Sequence, residues 1–180
     1  TSYIPTNGSS VTRQADTANG AGNSEVFNDS EGVLFVQAKS KYDSSNSRRI
    51  SISNGADVLS RISFEWDESL ENRFRIHQNS GLISYTATNL SLFNKIAYKY
   101  KLGDSSLWFN GFKVVTQASS SVPSGINVLK MQGYANTNSF YGKTKEVGYY
   151  DTALTDAELE YMTSYRSLSE LVTELNLNTL

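Results

Sequence analysis

The stretch FEWDESLENRF, residues 64–74, sets four carboxylates, Glu65, Asp67, Glu68 and Glu71, beside Trp66. Paired carboxylates next to an aromatic ring are the tools of glycoside hydrolysis, one protonating the leaving oxygen while the other attacks or activates water. The spacing argues against that use. Glu71 lies six residues beyond Glu65, or about 20 Å along an extended strand at roughly 3.3 Å per residue, whereas a retaining pair needs its carboxyls about 5–5.5 Å apart. The segment DESLEN is polar enough to be a hairpin tip. The cluster therefore reads as a solvated turn.

A second constellation surrounds His77, the only histidine of the chain. In RFRIHQNSG, residues 73–81, Arg73 and Arg75 share its parity, so all three point to one side of a strand while Phe74 and Ile76 point to the other. Such a cationic row could hold an anionic sugar. Its plainer meaning is a polar sheet face.

The elements that position these groups follow from composition and periodicity. The chain has 180 residues, 38% of them hydrophobic and 12% aromatic, which suits one domain with a core of its own. Sixteen Lys and Arg oppose 18 Asp and Glu. No basic stripe forms, which excludes a nucleic-acid or anionic-membrane partner. With no Cys and one His, disulfides, thiolate chemistry and an ordinary structural zinc site are excluded. No apolar run is long enough to span a membrane, no signal peptide is expected, and neither a Gly-x-Ser-x-Gly setting nor a Gly-rich phosphate cradle occurs. Thr1 in place of Met suggests a piece of a longer polypeptide. Abundant Ser, Asn, Gly and Tyr with scarce Pro and Met fit an extracellular or virion β-protein.

Between about residues 11 and 151, apolar and β-branched positions recur with period two, broken by turn segments such as SNGAD, QNSG and LGDSS. Asn110-Gly111, between LWF and FKVV, is a two-residue hairpin turn by type, since a type I′ turn needs positive φ twice. Many short strands with no alternating helices predict an antiparallel sandwich or jelly roll. In KIAYKYKL, Ile96, Tyr98 and Tyr100 share the core side, leaving Lys99 outside; in SLWFNG, Leu107 and Phe109 face inward and Trp108 outward. Trp108 is thus the leading ring for stacking on a sugar, unless it covers a sheet edge or meets the C-terminal helices. Trp66 shares parity with Ile62 and Phe64 and belongs to the core. Eleven tyrosines exceed what a core can satisfy, so Tyr134 and Tyr141, in polar loops, are expected to be exposed.

After Asp151 the pattern turns helical. Thr155 and Glu158 have the spacing of a capping box, Leu154 and Leu159 that of a hydrophobic staple, and a helix is expected over about 156–165. Ser167 and Glu170 repeat the box, and Leu168, Leu171, Val172 and Leu175 form one apolar stripe, for packing on the sandwich or on a neighbouring subunit. The expected organisation is a lead-in segment over 1–16, a sandwich over 17–165 and a C-terminal helix over 166–180.

Three stretches resemble a known family. KIAYKYKLGDSSLWFNGFKV and EVGYYDTALTDAELEYM, together roughly residues 93–163, are similar to the strand, Gly-Asp loop, Asn-Gly strand and closing Tyr-Asp helix start of laminin G-like, concanavalin A-type lectin/glucanase sandwiches. TSYIPTNGSSVTRQAD looks like the segment that precedes such domains in bacteriophage tail and prophage proteins. The resemblance implies an all-β, two-sheet antiparallel jelly-roll sandwich with two short C-terminal helices, binding glycan or protein. Laminarinase-type hydrolases of this fold carry Glu-x-Asp-x-Glu, or that pattern with one bulge residue. Here the last carboxylate would fall at Ser69 or Leu70, and neither can move a proton. The motif of alginate lyases is only echoed by YKYKLG.

The expectation is a non-catalytic carbohydrate-binding domain of a phage tail fibre or receptor-binding protein, on the virion or otherwise extracellular. It would recognise a bacterial surface glycan, contact other tail subunits and could assemble as a homotrimer. Alternatives are a structural virion module making only protein contacts, and a polysaccharide-degrading enzyme or its appended carbohydrate module. The candidate ligand residues are Trp108, Lys99, Arg73, Arg75, His77, Tyr134 and Tyr141. No cofactor is required. A rim calcium is open, with Asp43, Asn46 and Asp104 able to supply part of its oxygen shell.

Overall fold

A computed structural model of the chain describes Gly8 and residues 21–40, 46–56, 59–67, 69–118, 121–133 and 136–174. Among them lie β1 (Glu31–Lys39), β2 (Arg48–Ser53), β3 (Arg61–Trp66), β4 (Arg73–Gln78) and β5 (Gly81–Thr86). Then follow β6 (Asn94–Lys101), β7 (Ser105–Phe109), β8 (Phe112–Gln117), β9 (Val128–Lys130) and β10 (Lys143–Tyr150), and last α1 (Asp156–Thr163) and α2 (Leu168–Glu174). Sheet A runs β10-β1-β6-β7-β8 and sheet B runs β5-β4-β3-β2-β9. Neighbouring strands pair antiparallel throughout. No helix among the described residues is long and apolar enough to cross a membrane.

Two kinds of strand report two kinds of face. β4 alternates between half-buried Arg73, Arg75 and His77 and buried Phe74, Ile76 and Gln78, as expected when one side meets the core and the other does not. β1 instead carries the unbroken run VLFV, buried at every position. Its Leu34 and Val36 enter the main core with Ile50, Ile62, Phe64 and Phe74, while Val33 and Phe35 join a second cluster on the outer side of sheet A. Edge-to-face rings bridge the sheets, with Phe74 of β4 5.8 Å from Phe109 of β7.

The Asn-Gly hairpin forms as expected. Asn110 and Gly111 have φ of 51° and 88°, and they join strands paired at Phe109 and Phe112. The Gly111 amide donates to Thr163 Oγ1 at 3.2 Å, and a Cβ at Gly111 would stand 2.6 Å from Ser164 Oγ. Gly111→Ala is therefore expected to cost about 1–2 kcal/mol in thermal unfolding, through left-handed strain plus that clash. Gly103→Ala, at φ of 76° with open space around it, isolates the strain alone and should cost about 1 kcal/mol or less.

The capping box of α1 is reciprocal: Thr155 Oγ1 accepts from the Glu158 amide at 3.3 Å, and Glu158 Oε2 accepts from the Thr155 amide at 2.7 Å. The second box is only half formed. Ser167 Oγ accepts from the Glu170 amide at 3.0 Å, but the Glu170 carboxylate turns to the Arg166 amide at 2.7 Å and to Lys95 Nζ at 2.6 Å. Of the stripe expected on α2, Leu175 and the side chain of Leu168 lie outside the described residues.

Candidate functional site: the outer face of sheet B

Three strands of sheet B carry charge on the side away from the core, and register brings those charges into line. Arg49 of β2 pairs across to Glu65 of β3, and Glu65 pairs across to Arg75 of β4. Cross-strand neighbours stand only about 4.5–5.5 Å apart at Cβ, so long polar side chains meet. Glu65 is fully buried and triply engaged. Its Oε1 accepts from Arg75 Nη1 at 3.0 Å, while Oε2 takes both the Arg49 guanidinium and His77 Nε2, the latter at 3.0 Å. Arg61 Nη2 lies 3.2 Å from His77 Nδ1. Because a guanidinium only donates, Nδ1 is the acceptor there and Nε2 carries the proton toward Glu65.

Asp67 extends the lattice. Its Oδ2 accepts from Arg73 Nε at 2.6 Å and pairs with the Arg75 guanidinium, and its Oδ1 accepts from the Ser69 amide at 2.6 Å. Burial alone pushes the Glu65 carboxyl up, but hydrogen bonding from His77 and the charge of Arg49 outweigh it and hold it at about 2. Burial is likewise overcome at Asp67, which Arg73, Ser69 and Arg75 keep below its ordinary value. Both groups are carboxylates at neutral pH. Neither has a proton to give.

The reading of residues 64–74 as a solvated turn is thus corrected in part. Glu71 is exposed at the tip between β3 and β4, but Glu65 and Asp67 are buried counter-ions. Glu68 lies outside the described residues. Arg73, Arg75 and His77 share one face as parity requires, and the structure adds Arg49 and Arg61, which no local motif marks. At the start of β2, Arg48 packs its guanidinium 5.0 Å over the exposed Tyr141 ring. Together with Asn46 and Asn138 they border a cleft of about 430 Å³. The Arg49 amide donates to the Asn138 carbonyl at 2.9 Å, tying this cleft to the lattice. Tyr134 lies outside the described residues.

Trp108 and Lys99 are a different case. Trp108 does stand on the outer side of sheet A, but α1 lies over it and leaves it 4% exposed, packed with Val33, Phe35, Ala97 and Leu159. Its indole donates to Ser106 Oγ at 3.2 Å. A ring so covered has no open face for a sugar, and its role is packing. Lys99 is buried beside it, its ammonium 2.9 Å from Asp104 and 3.7 Å from Asp156 in the first turn of α1. Asp104, a candidate calcium ligand, is therefore engaged by Lys99, and Asp43 lies outside the described residues. Among the described residues no three His, Asp or Glu side chains gather as a metal set.

No protein-family model matches the chain, and no curated protein matches it in sequence. Among solved structures it is similar to the leech intramolecular trans-sialidase complexed with 2,7-anhydro-Neu5Ac, with a TM-score of 0.66, 16% identity, and coverage of 86% of this chain and 26% of that one. It is also similar to the CBM40 of Ruminococcus gnavus IT-sialidase bound to α2,3 sialyllactose (TM-score 0.61, 16% identity, 76% of this chain and 84% of that one). A third is the NanB sialidase from Streptococcus pneumoniae (TM-score 0.59, 14% identity, 79% and 25%). The chain spans about a quarter of each whole sialidase and most of the separate module. At these identities the likeness is one of fold, and the fold is an all-β, two-sheet jelly-roll sandwich with two short C-terminal helices.

Proposed function

We propose that the chain is a non-catalytic glycan-binding domain whose sheet-B face receives an acidic sugar. The observation that carries this reading is the row of guanidiniums on that face, Arg49, Arg73 and Arg75, held in place by the buried Glu65 and Asp67. The buried carboxylates aim the guanidiniums, and parts of Arg49, Arg73 and Arg75 remain open to solvent. A planar fork of donors fits a sugar carboxylate in two-point fashion. The sialyllactose held by the Ruminococcus gnavus CBM40 carries such a group, which supports the class. The ionised state of both carboxyls supports holding rather than cutting by a carboxylate pair, which needs one member protonated.

The larger setting is a phage tail fibre or receptor-binding protein that attaches to a bacterial surface glycan, as a trimer among other tail subunits; the TSYIPTNGSSVTRQAD segment motivates this. A module appended to a glycan-degrading enzyme is the second reading, favoured by the close match in size to the Ruminococcus gnavus module. Titration with α2,3-sialyllactose, beside an array of acidic bacterial polysaccharides, tests the function itself. Binding should weaken as salt is raised, and Arg73→Ala should weaken it about tenfold with folding intact. Failure of every acidic glycan to bind would overturn the proposal.

A further inference from the structure

Helix α1 covers only part of the outer side of sheet A. Beside it, over β1 and β10, lies a cleft of about 700 Å³, inside the range of about 300–1,000 Å³ common to small-ligand sites. Phe35 and Met162 supply apolar lining. Tyr150 and Tyr161 border the cleft and are both exposed, and the Arg166 guanidinium, 5.2 Å from the Tyr161 ring, steadies that ring from one side.

The polar part of the lining is more specific. Gln37 and Glu146 are register partners on β1 and β10, so both side chains project from the same outer face. A bulge follows at once, the register shifting between Gln37 and Ala38. Such bulges re-aim side chains beside binding sites. Gln37 is only 9% exposed, yet its side-chain amide has no protein hydrogen-bond partner among the described residues. Its donor and acceptor are open to the cleft it lines.

Charge separates this site from the sheet-B face. Lys95 is paired with Glu170, and the remaining lining has Arg166 against Glu146 and Glu158. The walls lean acidic and disfavour an anion. The geometry points to this cleft as a second glycan subsite, one that takes a neutral pyranose. The tyrosine rings meet the sugar's C–H face, the Gln37 amide bridges two adjacent hydroxyls, and Glu146 accepts from another. This reading stands apart from the acidic-sugar reading, since the two faces share no residue.

Backbone amide NMR spectra of the chain, titrated to millimolar lactose, cellobiose and maltose in turn, provide the test. At least one sugar should shift the amides of 35–37, 146–150 and 161–162 while leaving those of 49, 65 and 75 in place. Gln37→Ala and, separately, Tyr161→Ala should each weaken binding by about fivefold or more. Tyr161 is 66% exposed, so its truncation leaves the fold intact and keeps the test decisive if Gln37→Ala proves unstable. No shift with any of the three sugars, shifts confined to sheet B, or binding unchanged by Tyr161→Ala would overturn the inference. Titration with α2,3-sialyllactose in the same spectra reports on sheet B separately, so either site can fail without the other.

Discussion

Replacing Glu65 with alanine lowers the unfolding free energy by about 3–5 kcal/mol, the expected cost of stripping the counter-charge from a buried ion cluster. Glu65 is fully buried, and Arg49, Arg75 and His77 all converge on it. Without it Arg75 keeps Asp67, while Arg49 faces another cation across the gap. Denaturant titration at neutral pH measures the loss. The same carboxylate makes stability depend on acid. Its folded value of about 2 lies below the ordinary 4.5, so the unfolded chain binds the proton first as pH falls. Its contribution, of order 3 kcal/mol, is fully present above about pH 5 and drains away toward pH 2. Glu65→Gln should flatten the stability profile across that window. An unchanged acid profile in this variant would show that the cluster does not hold the carboxylate as the geometry requires.

Trp108→Ala should also cost about 3–5 kcal/mol, by opening a cavity under α1. The ring is the largest member of the outer cluster, to which α1 contributes Leu159. The loss should be local in character: hydrogen exchange speeds up in α1, with sheet B still protected and acidic-glycan affinity held within about twofold. Trp108→Phe should recover most of the stability. If the alanine variant instead kept its stability and lost the glycan, the ring would be a ligand contact rather than packing beneath α1.

Much of the fold was legible because local rules and tertiary structure agree. Period-two patterning located the strands, Asn110-Gly111 announced its turn, and Thr155 with Glu158 marked the start of α1. Legibility failed where coverage or register decides. Parity placed Trp108 and Lys99 on the outer side of sheet A correctly, but it cannot say that α1 returns to cover that side. The one local hint was VLFV in β1, whose four successive apolar residues ask for burial on both faces. The ion lattice was hidden for a related reason. Arg49, Glu65 and Arg75 are far apart in the chain and meet only once the β2-β3-β4 register is set. Glu65 and Asp67 therefore looked like companions of Glu71, the carboxylate that, among the described residues of the stretch, belongs to the solvated tip.

Shared counter-ions also constrain how this surface can diverge. Because one carboxylate answers to Arg49, Arg75 and His77 together, a change at any of these positions alters the worth of the others, and single steps are penalised where paired steps are tolerated. Specificity on this side of the sandwich should drift in correlated blocks, whereas Gln37 in the cleft beside α1, whose side chain has no hydrogen-bond partner among the described residues, can be retuned by itself.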